Sequence, residues 1–186
     1  NWNAVCLAGT IGAVLAIEPS KERRAKFLAA ADYFSETYFL KGFTNDGYCS
    51  EGMGYWNYGF GNYIYLGALV RRATNGALDL FRFPIIPAVL HYGPTLEIDG
   101  NNFATFADCA MNARPSALYV GYLSRLKNFG YAATERAGLD ENFQLGDLMQ
   151  TLSIGFDAEI VRLGDAAETG AATNSSLPIR TDFPNA

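Results

Sequence analysis

Asp46-Gly47-Tyr48-Cys49-Ser50-Glu51-Gly52-Met53-Gly54-Tyr55-Trp56-Asn57-Tyr58-Gly59 is the run on which the reading of this chain turns. It mixes glycines with tyrosines, a tryptophan, two acids and an amide. Glycine is a poor helix former because it loses the most backbone freedom there. A plain surface loop, in turn, rarely carries this much aromatic area. The composition therefore predicts a loop over residues 46–59, followed by a helix over about residues 61–74. Such a loop suits a wall against a flat, hydroxyl-rich ligand. Aromatic faces stack on apolar sugar faces, phenols and amides hydrogen-bond, and glycines allow close backbone approach. The alternative is a tight turn that feeds a core helix through buried aromatics.

Upstream of this run, residues 3–17 read as a helix that is apolar almost all round, the pattern of a helix buried among others. Pro19 breaks it and Ser20 can cap the next helix. Residues 21–40 place Phe27, Ala31, Phe34 and Tyr38 at helical spacing, with Lys41-Gly42 as a cationic last turn and a stop. Downstream, Asn75-Gly76 ends the third helix, and residues 79–82 make one helical turn. Pro84 and Pro87 open a short helix closed by Gly93-Pro94. A short strand is expected over residues 95–98, ending at the turn pair Asp99-Gly100. Residues 101–113 read as loop, and Pro115 opens a helix reaching about Phe129. Short helices follow over residues 131–137 and 146–152. Residues 164–176 have the composition of a linker, and residues 177–186 are extended. Repeated helix pairs with scarcely any strand define an all-α chain, best arranged as antiparallel helical hairpins in an arc. No fixed-period repeat is visible.

At 186 residues, 49% hydrophobic and 18% charged, the chain can bury one real core. No apolar run reaches membrane-spanning length, because Gly9, Gly12 and Glu18 interrupt the opening segment. A net charge of −5 argues against nucleic acid as a partner. The one basic cluster, residues 21–26, reads as the solvated start of a helix. Cys6, Cys49 and Cys109 form neither a CxxC metal pattern nor a disulfide framework. They read as reduced and mostly buried, with one bond involving Cys49 left open. The start on Asn1-Trp2-Asn3, already inside an apolar pattern, leads us to expect a segment of a longer protein.

Read together, residues 46–59, Asn1-Trp2-Asn3-Ala4-Val5-Cys6 and Phe103-Ala104-Thr105-Phe106-Ala107-Asp108 resemble the heparinase II/III-like polysaccharide lyases. The resemblance implies an α/α toroid followed by an antiparallel β-sandwich. Residues 1–163 would be the last hairpins of the toroid, and residues 164–186 a linker and the start of the sandwich. It also implies β-elimination on a uronic-acid polymer, with no redox cofactor, in a periplasmic or secreted protein. An isolated piece of this kind is expected to be inactive.

That chemistry has three needs. The uronate carboxylate must be neutralised as charge develops on it, a base must take the C5 proton, and an acid must protonate the leaving oxygen. Carried over residue by residue, Tyr55 is the candidate base or acid, and Asn1 or Asn3 the neutraliser. Trp2 stands where many relatives carry a histidine. Tyr48, Glu51, Trp56, Tyr58 and Trp2 are the expected substrate wall, and an acidic polysaccharide the expected partner. A phenol of ordinary pKa, about 10, needs a cation or strong donors beside it to act as a base. Arg82, Arg114 and His91 are the candidates for that partner.

Each of these residues also has a plainer role open to it. Asn1 and Asn3 could cap the first helix. Tyr48, Tyr58, Tyr63 and Tyr65 could be core or groove wall, and His91 a structural histidine. Asp46 and Glu51 could form a glycosidase pair on a similar toroid, or hold the turn through backbone bonds. Asp108 could fix its loop. The aromatic run could also be a non-catalytic carbohydrate-binding platform.

Overall fold

The computed structural model describes residues 1–100, 102–127 and 129. The expected helices over 131–137 and 146–152, the boundary at 163/164 and the linker with its extended tail lie outside these residues.

Two helices open the chain, α1 (Trp2–Ile17) and α2 (Lys21–Phe34). The break between them is fastened by Glu18. Its carboxylate accepts the Ser20 backbone N–H at 2.8 Å and pairs with Arg23 at 2.9 Å. Arg23 and the Ser20 amide hold that carboxyl below its usual value. Ser20 caps α2 as expected, its hydroxyl accepting from the Arg23 backbone N–H at 3.3 Å. The helix then changes pitch. A π turn (Ser35–Phe39) and a 3₁₀ turn (Leu40–Gly42) extend it to the expected glycine stop.

The central element is α3 (Gly52–Ala73), and here the sequence expectation is corrected. Residues 52–59 are helix, not loop. Tertiary contact outweighs propensity, because the missing side chains let neighbours reach the helix backbone. A β-carbon at Gly67 would lie 2.2 Å from the Phe81 ring, and one at Gly59 would lie 2.9 Å from Asn1 Cα. Asn1 thus sits by Gly59 and Gly12 by Leu69, so α1 and α3 run in the same direction. Helix α2, between them in the chain, returns as the antiparallel arm of a hairpin.

The core runs along α3 as an aromatic ladder. Trp56, Phe60 and Tyr63 are fully buried, and Phe39 from the π turn stacks on Tyr63 with ring centroids 4.8 Å apart. The Tyr63 hydroxyl donates to the Leu80 carbonyl in the 3₁₀ turn Leu80–Arg82. Burial raises the Tyr63 pKa far above that of an ordinary phenol, so it stays a neutral donor. Tyr63→Phe should cost about 1–2 kcal/mol in urea unfolding, since it leaves a buried carbonyl without its donor.

Helix α4 (Ile86–Thr95) follows, with Pro87 in its first turn. It passes the expected Gly93-Pro94 stop, because Gly93 is not left-handed and Pro94 disturbs only the last turn. The expected strand is accordingly displaced. It forms as β1 (Glu97–Asp99), paired antiparallel with β2 (Asn102–Phe103). Helix α5 (Ala117–Lys127) closes the described fold and buries Tyr122 and Leu123. Apart from the small hairpin, the described chain is all-α.

Two further expectations fail. Helix α1 buries one stripe, Ala4, Ala8 and Ile11, while Trp2 is 70% and Ile17 80% exposed. Among the thiols, Cys49 is buried and Cys109 half-buried, but Cys6 is exposed; all three are free. Among the described residues no helix is long and apolar enough to cross a membrane.

Candidate functional site

The start of α1 lies against α3 at Gly59, some two turns into that helix. Asn1 stands just before α1 and Glu51 just before α3, and neither side chain caps its own helix. Instead they meet: Asn1 Nδ2 donates to both Glu51 carboxylate oxygens, each at 3.2 Å. The N-terminal end of α1 opens here, where unsatisfied N–H groups and the helix dipole favour negative charge. Glu51 is the protein's own anion at that point.

Beside it lies a pocket of about 90 Å³, lined by Asn1, Asn3, Glu51 and Tyr55 with Tyr38 and Phe43 as walls. That is room for a few waters or one small polar group. The Oδ1 atoms of Asn1 and Asn3 are buried and have no hydrogen-bond partner among the described residues. A buried acceptor left unpaired costs about 1–3 kcal/mol, so both favour a ligand that brings donors. Among the described residues, no lysine, arginine or histidine lines the pocket.

The three proposed cations lie elsewhere. Arg82 is clamped on Asp32 by two bonds of 2.6 and 2.9 Å. The Arg114 carbonyl accepts from Asn57 Nδ2 at 2.6 Å. His91 is half-buried on α4, and burial lowers its pKa, so it favours the neutral form.

Asn1, Asn3, Tyr55 and Glu51 are brought together; the other expected wall residues are not. Trp56 is fully buried, and its indole N–H donates to the Val89 carbonyl at 2.8 Å. It is a core residue, because the helix turns its ring toward α4 rather than toward a ligand. Tyr48 stacks on Phe106 with planes 11° apart and packs edge-on against Tyr92. Tyr58 and Trp2 are exposed, and neither lines the pocket. Asp46 accepts from the Thr44 hydroxyl inside its own turn. It does not line the pocket that Glu51 lines.

Within the same run, Asn57 fastens the loop ahead of α5. Besides its bond to Arg114, its Oδ1 accepts the Ser116 backbone N–H at 3.0 Å. Tyr38 and Phe43 were missed as pocket walls. Their sequence signal, aromatics flanking Lys41-Gly42, reads equally well as an ordinary helix end. Comparison of the sequence with known protein-family models and with curated proteins finds no match.

Proposed function

We propose that the chain belongs to the α/α toroid of a polysaccharide lyase that cleaves a uronate polymer by β-elimination. The observation that carries this reading is that Asn1, Asn3 and Tyr55 line one pocket between the start of α1 and the first turns of α3. In this reading the asparagine amide N–H groups receive the uronate carboxylate, Asn1 turning from Glu51 to do so, while the two buried Oδ1 atoms accept from the sugar hydroxyls. These donors hold the charge that moves onto the carboxylate as the C5 proton leaves. Glu51, the one carboxylate lining the pocket among the described residues, takes that proton. The C4–O bond then breaks, a C4–C5 double bond forms, and the Tyr55 hydroxyl protonates the leaving oxygen.

The test is the full-length protein that carries this chain, incubated with uronate polymers and followed by ultraviolet absorbance. Elimination creates an unsaturated uronate that absorbs; hydrolysis creates saturated ends that do not. Cleavage without new absorbance would replace the lyase by a hydrolase. Binding without cleavage would leave a carbohydrate-binding scaffold.

Glu51→Gln should separate binding from turnover. Calorimetry should show a uronate tetramer bound about two- to fivefold tighter at low salt, because a half-exposed like charge has gone. Turnover of the same variant should fall, because the proton acceptor has gone with it.

A further inference from the structure

The end of α2 is a ridge with a cavity on either side. A π turn inserts one extra residue per turn and rotates everything after it. Here it sends neighbouring residues to opposite sides. Tyr38, Phe39 and Gly42 face the pocket just described, while Glu36, Leu40 and Lys41 line a second cavity of about 530 Å³. Phe43 lines both. Its ring is held edge-on by Phe39 at 5.3 Å and by Phe60 at 6.4 Å, so the partition between the cavities is fixed from the core.

The second cavity falls within the 300–1,000 Å³ typical of small-ligand sites. Phe83, across from the ridge, is steadied by the Arg82 guanidinium 4.2 Å from its ring centroid. Aromatic carbon with a polar rim of Asn45, Glu36 and Lys41 is the surface a sugar ring requires. The charges on that rim are not equivalent. Glu36 interacts with Arg82, which is also locked on Asp32. Lys41 has no carboxylate within ion-pair reach among the described residues. By contrast, Arg23, Lys26, Arg82 and Lys127 each pair with one at 2.6–3.0 Å. An ammonium on a cavity rim without an internal partner is available to an anionic ligand.

We infer that this cavity is a second subsite of the same groove, holding a neighbouring uronate of the polymer with its carboxylate on Lys41. The inference rests on the polysaccharide reading above and adds a direction to it: the polymer crosses the ridge at Phe43. A dimer does not need the second cavity, whereas a tetramer spans both.

The experiment is calorimetry on the full-length protein and its Lys41→Met variant. The probes are homogeneous dimers and tetramers of mannuronate, guluronate, galacturonate and glucuronate. Methionine keeps the length of the stem, and Lys41 is exposed, so folding is not at issue. For whichever uronate binds, Lys41→Met should weaken the tetramer about five- to tenfold, the scale of one partly exposed charge-assisted contact. Dimer affinity should be unchanged, and the tetramer loss should shrink as salt is raised. An unchanged tetramer affinity in a protein that still binds dimers overturns the second subsite and leaves the first pocket's reading intact. Equal loss for a neutral tetramer such as cellotetraose overturns the carboxylate contact. If no oligouronate of any length binds, the polysaccharide reading fails and the subsite fails with it.

Discussion

Replacing Trp56 by alanine should lower the unfolding free energy by about 3–5 kcal/mol, the range for removing a large buried aromatic. For a chain of this size that is a fall in melting temperature of roughly 6–20 °C. The indole is wholly inside, tilted against Phe60 and Tyr92 with centroids 5.7 and 6.2 Å away. Its N–H is engaged on α4. Gly93 lies so close that a β-carbon there would be 2.5 Å from the ring, so little can move in to fill the space. Trp56→Phe should lose less, because it keeps much of the ring and gives up the bond to Val89. A Trp56→Ala protein with unchanged urea midpoint but weakened sugar binding would put the indole back on the ligand wall.

The second large effect is chemical. Tyr55→Phe in the full-length protein should reduce turnover about 10²- to 10⁴-fold, the usual contribution of a positioned proton donor. At 1.36 kcal/mol per decade, that is roughly 3–5 kcal/mol on the barrier. The ring is retained and the residue is only half-buried, so thermal stability should hardly change. The loss should fall on kcat rather than KM, because protonation of the leaving oxygen belongs to the transition state. A variant with undiminished turnover would remove Tyr55 from the chemistry.

The parts of this fold legible in the sequence are those set by neighbours a few residues away. Ser20 caps α2, Gly42 ends its last turn, and Asn75-Gly76 closes α3 with both residues in the left-handed region. Each signal lies beside the boundary it marks. The start of α3 was not legible, because the glycines there answer to residues far along the chain. Gly54 is set against Asp108 and Gly59 against Asn1, and propensity carries no information about either.

The candidate site divides in the same way. Asn1, Asn3, Glu51 and Tyr55 were readable as a pattern of residue types before any geometry was known. The place of Trp56 in the core was not, since its hydrogen-bond acceptor lies 33 residues away. Lys41 carried a correct local reading, a cation in a last turn. Its place on a cavity rim depends on Phe83, Pro84 and Ile85, which no window around Lys41 contains.

The five glycines of α3 bear on how the molecule unfolds. At about 1 kcal/mol each relative to alanine, they handicap the isolated helix by about 5 kcal/mol, comparable to the whole stability of many domains. Residues 52–73 cut out as a peptide would therefore be random coil. Within the protein, amides along α3 should exchange with deuterium only when the whole structure opens, instead of fraying turn by turn. Tyr55 sits in the first turns of that helix, and Asn1 and Asn3 on the neighbour that packs against it. Loosening either helix removes both halves of the pocket at once, so a partly unfolded form that keeps half a site has no stable place on the landscape.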